Sequence, residues 1–291
     1  MMKKWLLVIV ILFAFSASGY FVAANNHLPQ KQLNKIRIGV LPDENAEALN
    51  QRYKDLITYI SQTIDRPVEL VIPENYQDLV RLFEENKIEL ANFGGLTYLH
   101  VHKETQAQTI VMRDVDAQFS SYFITQLHTQ PQQLSDYYGK HFSFGSKLST
   151  SGHLMPRFFL QEQGIKAESF FKNVHYSMAH DETIYSIAEG KFDIAAVNSE
   201  VFNQMKKDGR IKSGTINILW QTPPYVDYVW AVQNNMPEDI KLKLRDAFLS
   251  LTINKPEHAK ILTRLGADYF LPAGDSEFQK LRDIAVSQGL L

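Results

Sequence analysis

Short apolar runs alternate along the chain with stretches whose apolar residues recur every three or four positions. After a polar lead, IRIGVLP (36–42) is an apolar run closed by a proline, and Leu49, Tyr53, Leu56, Ile57, Ile60 and Ile64 then keep to one face of a helix. VELVI (68–72) reads as the next strand and residues 76–85 as the next helix. Strand, helix, strand, helix predicts α/β layers with largely parallel pairing. Further on, YFITQL (122–127), HFSFG (141–145), VHYS (174–177), INILWQ (216–221) and YVWAV (228–232) read as strands. Helices are expected over residues 155–163, 181–190, 238–252, 256–265 and 276–287.

Two segments echo each other. ENKIELANF (85–93) and EGKFDIAAV (189–197) share the frame Glu, turn residue, Lys, apolar, acid, apolar, Ala. Convergence of helix-to-strand turns on Asn-Lys or Gly-Lys accounts for such a pair, and so do two similar α/β lobes. Ligands of open α/β sheets gather beyond the carboxyl ends of the strands. The two-lobe alternative therefore places GGLTY (94–98), with Tyr98, and NSEVF (198–202) on a shared cleft.

Composition narrows the function. Thirty basic and 32 acidic side chains in 291 residues leave a net charge of −2, too little positive field to hold a nucleic-acid backbone. The absence of cysteine removes disulfides, thiolate metal sites, cysteine nucleophiles and a lipid-modified cysteine. At the amino terminus, MMKKWLLVIVILFAFSASGYFVAANN has Lys3 and Lys4, an apolar run from Trp5 to Phe15, and Val22-Ala23-Ala24 as a cleavage site, so residues 1–24 read as an export signal. Residues 5–24 also suit an uncleaved anchor. Both readings put the rest of the chain outside the cytoplasm, in a bacterial periplasm.

The chemistry concentrates in FGSKLSTSGHLMPRFFL (144–160), where Ser149, Thr150 and Ser151 stand just ahead of a helix expected to start near Gly152. Free amides of a first helical turn, its positive dipole end and three hydroxyls make an oxyanion site. One hydroxyl would suffice for an ordinary helix cap, and the cluster exceeds that need. Ser151 with His153 or His180 could be written as a nucleophilic triad, but no G-x-S-x-G elbow is present. His100 and His102, two apart on a helical stretch, face different ways, and neither a metal nor a cofactor is implied.

IRIGVLPDENAE, PENYQDLVRLFEENKIELANFGGLTYL, FGSKLSTSGHLMP, MAHDETIYSIAEGKFDIAAVNSE and WQTPPYVDYVW, in that order over residues 36–270, resemble the phosphate/phosphite/phosphonate-binding periplasmic proteins of ABC importers. The resemblance implies a two-lobed, type II periplasmic binding fold of α/β class with the ligand cleft between the lobes. Lobe 1 is expected over 35–120 and 226–291, and lobe 2 over 121–225. It implies an oxyanion cradle at Ser149, Thr150 and Ser151, a ligand-contacting histidine at His180 and a tyrosine at Tyr76. Members that bind aminoalkyl phosphonates hold the ammonium group with two acids, which fall on Glu200 and Asp227. Where such members carry a second ligand-facing tyrosine, this chain has Phe119. Tyr76 and Phe119 also suit a core, Glu200 suits a solvated first helical turn, and Asp227 in an apolar strand has to be exposed, paired or ligand-facing. The resemblance implies a receptor and no enzyme, one that captures phosphonate, phosphite or phosphate and hands it to a membrane permease. A sensory module reporting to a membrane kinase or chemoreceptor is the alternative.

Overall fold

The computed structural model describes residues 33–127 and 133–291; the expected export signal or anchor lies outside them. Their elements are β1 (Ile36–Val40), α1 (Ala46–Ile64), β2 (Val68–Val71), α2 (Tyr76–Glu84), β3 (Leu90–Phe93), α3 (Gly95–Thr105), β4 (Gln108–Arg113), β5 (Ser121–Gln126), β6 (His141–Phe144) and α4 (Met155–Glu162). There follow α5 (Ala167–Phe170), β7 (Asn173–Tyr176), α6 (His180–Ala188), β8 (Ile194–Asn198), α7 (Ser199–Lys207), β9 (Ile216–Gln221), β10 (Val229–Val232), α8 (Glu238–Leu249), α9 (Pro256–Leu265), β11 (Phe270–Pro272) and α10 (Gln279–Ser287).

The local signals act where they stand. Asn45 caps α1 by accepting from the Ala48 N–H at 3.1 Å, Leu49, Tyr53, Leu56, Ile60 and Ile64 are its buried stripe, and Asp65 ends it in a left-handed conformation (φ 52°). Asn86 (φ 55°) and Gly190 (φ 73°) turn the chain into β3 and β8, so the echoed segments share a backbone device, since Asn and Gly tolerate the left-handed region.

The strands form two sheets, ordered β11-β4-β10-β3-β1-β2 and β7-β6-β8-β5-β9. In the first, β1 pairs in parallel with β2 and β3, and β10 runs antiparallel between β3 and β4. In the second, β6 pairs in parallel with β7 and β8, and β5 runs antiparallel between β8 and β9. The orders superimpose, β2, β1, β3 and β10 on β7, β6, β8 and β5. Each sheet carries apolar clusters on both faces, so each is the centre of one lobe: α1, α8 and α9 cover one face of the first, and α2, α3 and α10 the other.

Two crossovers join the halves. They meet as an antiparallel bridge in which Phe119 and Tyr225 exchange N–H···O bonds of 2.8 and 2.9 Å. A cleft therefore lies between two sheets tied by paired, extended chain.

Candidate functional site

The cluster at residues 149–151 takes a shape that differs from the sequence expectation. The helix does not start near Gly152: a wide π turn spans Thr150–Leu154, and α4 follows. Ser149 caps the turn, its Oγ accepting from the Gly152 N–H at 2.9 Å. A Cβ on Gly152 would lie 2.7 Å from His180 Cε1 and 3.0 Å from Gly145 Cα, so glycine lets the turn approach the imidazole.

The other lobe brings the start of α3 against this turn. The Leu96 N–H donates to Thr150 Oγ1 at 2.9 Å, and the Gly95 N–H donates to Asp227 Oδ1 at 3.0 Å. Asp227 is fully buried in the second crossover. Burial pushes its carboxyl up to about 7, the Gly95 amide and Thr150 hydroxyl offsetting part of the cost. Among the described residues, Asp227 Oδ2 and Ser151 Oγ are buried without a hydrogen bond of full geometry, and the Ser151 hydroxyl lies close enough to the Asp227 carboxyl to help hold it down. A hydroxyl and a carboxylate oxygen left so at the turn can each take a further bond from a ligand.

Tyr76, the first residue of α2, is buried with its hydroxyl within reach of Ser149. His180, the first residue of α6, accepts from the Asn198 N–H at Nδ1 (3.4 Å), so Nε2 carries the proton and faces Ser149 Oγ at 3.4 Å. Burial pushes its pKa down to about 4, which makes it a neutral donor at physiological pH. It pairs with Ser149 and not Ser151, while His153 is held by the Lys147 carbonyl at 2.8 Å and by Arg157 at 3.0 Å; no nucleophilic triad is assembled.

Tyr98 departs from its expected place. Its hydroxyl donates to Asp275 Oδ1 at 2.8 Å and its ring packs 5.0 Å from Phe278, because the fourth residue of α3 faces the layer that precedes α10. The backbone of that segment faces the cleft instead, through Gly95 and Leu96. Phe119 is buried and packs 5.7 Å from the Tyr228 ring. Glu200 and Asp227 do not line one cavity together. Glu200 lines a cavity of about 40 Å³ with Arg52, Arg113 and Tyr228, and Asp227 is not among the residues around it. Burial pushes the Glu200 carboxyl up, and Arg113 counters.

Sequence reasoning passed over the loop Asp43-Glu44-Asn45. The Asp43 carbonyl accepts from the His180 N–H at 2.9 Å, and Asp43 Oδ2 accepts from the Tyr228 hydroxyl at 3.0 Å. The buried Glu44 carboxylate lies between Arg52 of its own lobe and Arg210 of the other, the latter at 2.5 Å. Asn45 donates to Asp181 Oδ2 through its N–H at 2.9 Å and Nδ2 at 3.1 Å. Three consecutive residues thus bind one lobe to the other.

Fold and cleft together define a two-lobed solute-binding protein with a hydroxyl- and amide-rich pocket. The family model for the periplasmic substrate-binding proteins of phosphonate ABC transporters matches residues 38–278, and the chain belongs to that family. A probable ABC transporter phosphite-binding protein of Prochlorococcus marinus is 30% identical over 86% of this chain and 88% of its own length. The phosphonates-binding periplasmic protein of Escherichia coli is 23% identical over 94% of this chain and 81% of its own length. The structure of PhnD1 from Prochlorococcus marinus in complex with methylphosphonate superimposes with a TM-score of 0.84 at 28% identity, covering 89% of this chain and 99% of that one.

Proposed function

We propose that this chain captures a compact phosphorus oxyanion, phosphonate, phosphite or phosphate, between its lobes and presents the closed form to an ABC permease. The observation that carries the reading is the convergence of Ser149, Thr150, Ser151, Tyr76 and His180 on a buried turn beside Asp227, where Ser151 Oγ and Asp227 Oδ2 make no hydrogen bond of full geometry. Hydroxyls and a neutral imidazole donate to the anion, and Asp227 Oδ2 accepts from an oxygen of the ligand that keeps its proton. Closure desolvates these bonds and strengthens them. The role is that of a receptor, which the match to a family of transport substrate-binding proteins supports. The relatives' binding of phosphite and methylphosphonate supports the ligand class, and the transport family favours delivery over sensing.

Among the described residues, no helix is long and apolar enough to cross a membrane, and residues 1–24 supply export. Mass spectrometry of the exported protein is expected to find a mature terminus just after Ala24; a chain retaining Trp5–Ala24 would indicate an anchored receptor.

The cradle is tested by Thr150→Val, which keeps the shape, deletes a donor and orphans the Leu96 N–H. Calorimetry with phosphite and methylphosphonate is expected to show affinity lowered by about 1–3 kcal/mol. Unchanged affinity in a folded variant would remove Thr150 from the site.

A further inference from the structure

Tyr228 lines the cavity that holds Glu200 and follows directly on Asp227. Its hydroxyl is pinned from both lobes, donating to Asp43 Oδ2 at 3.0 Å and accepting from Asn198 Nδ2 at 3.0 Å. The same two residues grip His180, which faces Ser149: Asp43 through its carbonyl at 2.9 Å and Asn198 through its N–H at 3.4 Å. Asp43, Asn198 and Tyr228 are also walls of the cavity of about 40 Å³, which continues to Glu200, Arg52 and Arg113. Tyr228 therefore sits on the wall of a polar chamber and is bonded to the two residues whose backbone holds His180 at the cradle. The ring is held as firmly as the hydroxyl, with Phe119 at 5.7 Å and the Arg113 guanidinium over it at 5.5 Å. A tyrosine has two side-chain torsions, and with its hydroxyl bonded twice and its ring packed it has no room to swing aside.

We propose that Tyr228 determines ligand size. It is a wall that admits compact oxyanions such as phosphite or methylphosphonate and shuts longer alkylphosphonates out of the chamber beyond. The inference rests on the reading of the cradle as an oxyanion site. On this view the ring closes the way from the cradle to Glu200, which shares the chamber wall with Tyr228. The chamber's own chemistry, a carboxylate facing two guanidiniums, is suited to a polar arm once the wall is gone.

Calorimetry on the parent with phosphite, methylphosphonate, ethylphosphonate and 2-aminoethylphosphonate tests it directly. Affinity is expected to fall by about tenfold or more between the methyl and the two-carbon ligands, the scale on which a pocket discriminates one methylene. In Tyr228→Ala the two-carbon ligands are expected to regain that factor relative to methylphosphonate. Equal parental affinity across the series overturns the proposal, as does an unchanged ratio in a folded Tyr228→Ala protein; where that variant does not fold, Tyr228→Leu is read in the same way. Failure of the folded parent to bind phosphite or methylphosphonate at all would overturn the cradle reading, and the proposal with it.

Discussion

Arg210→Ala is expected to speed ligand release and to weaken affinity, at the low end of the about 2–5 kcal/mol that truncating one partner of a buried charge pair costs. Arg210 reaches from beyond α7 to Glu44 at 2.5 Å, and the Glu44 side chain is fully buried. Any separation of the lobes breaks this pair together with the neighbouring bonds to His180 and Asp181, so its energy belongs to closure. Glu44 keeps Arg52 as a partner, which holds the loss to the lower end. Because Arg210 touches no cradle residue, stopped-flow displacement should show the effect in the dissociation rate with the ligand ranking unchanged. A variant with the parental dissociation rate would show that the pair does not contribute to the closed state.

Asp227→Asn is expected to change both stability and its dependence on pH. The carboxyl rises from its ordinary 3.8 to about 7 in the folded chain, so the folded state holds this proton more tightly than the unfolded state. The resulting stability is fully present below the unfolded pKa and is lost as pH rises through about 7, a swing of about 4 kcal/mol for the ligand-free protein. His180 works in the opposite sense. Its pKa is depressed from 6.5 to about 4, and its contribution is present above 6.5 and lost as pH falls through about 4. The two nearly mask each other in the parent, and the difference between parent and Asp227→Asn isolates the carboxyl. Melting temperatures from pH 5 to 8 should show the variant gaining on the parent as pH rises. On the proposed reading Asp227 shares one proton with bound phosphite, so parental affinity should drop above about pH 7. In the variant the drop should follow the ligand's ionisation alone, and superimposable parent and variant profiles in both experiments would remove Asp227 from proton recognition.

Most of the layer architecture was legible because periodicity and punctuation agree locally. Leu49 to Ile64 announces α1, Pro42 follows β1, and Asn86 and Gly190 mark the two turns. What was not legible depends on the neighbour each element meets. β4 lacks the flanking turn signals of the other strands, β11 is only three residues long, and α5 is a single turn. The cradle hydroxyls stood out by their number, yet the wide turn at Thr150–Leu154 could not be read from residue types that suit a plain helix start equally well. Tyr98 shows the limit of periodicity, which fixes a helix's faces without saying which faces the ligand. Asp43 and Glu44 are two acids before a helix, a pattern that carries no signal of burial, and only the approach of Arg210, His180 and Tyr228 from elsewhere in the chain makes them buried.

The correspondence of the two sheets has a consequence for stoichiometry. β1 and β6 are counterparts, and each leads through a short loop to a side-chain-capped helical start, Asn45 before α1 and Ser149 before the turn into α4. A scaffold doubled in this way offers two equivalent seats for an anion. The first is already taken, because Asp181 of the opposite lobe sets its carboxylate on the Asn45 N–H and side-chain amide just as a bound oxyanion would. The chain thus answers one half of its own symmetry with an internal carboxylate, leaves the other half to the solute, and is expected to titrate with one oxyanion per molecule.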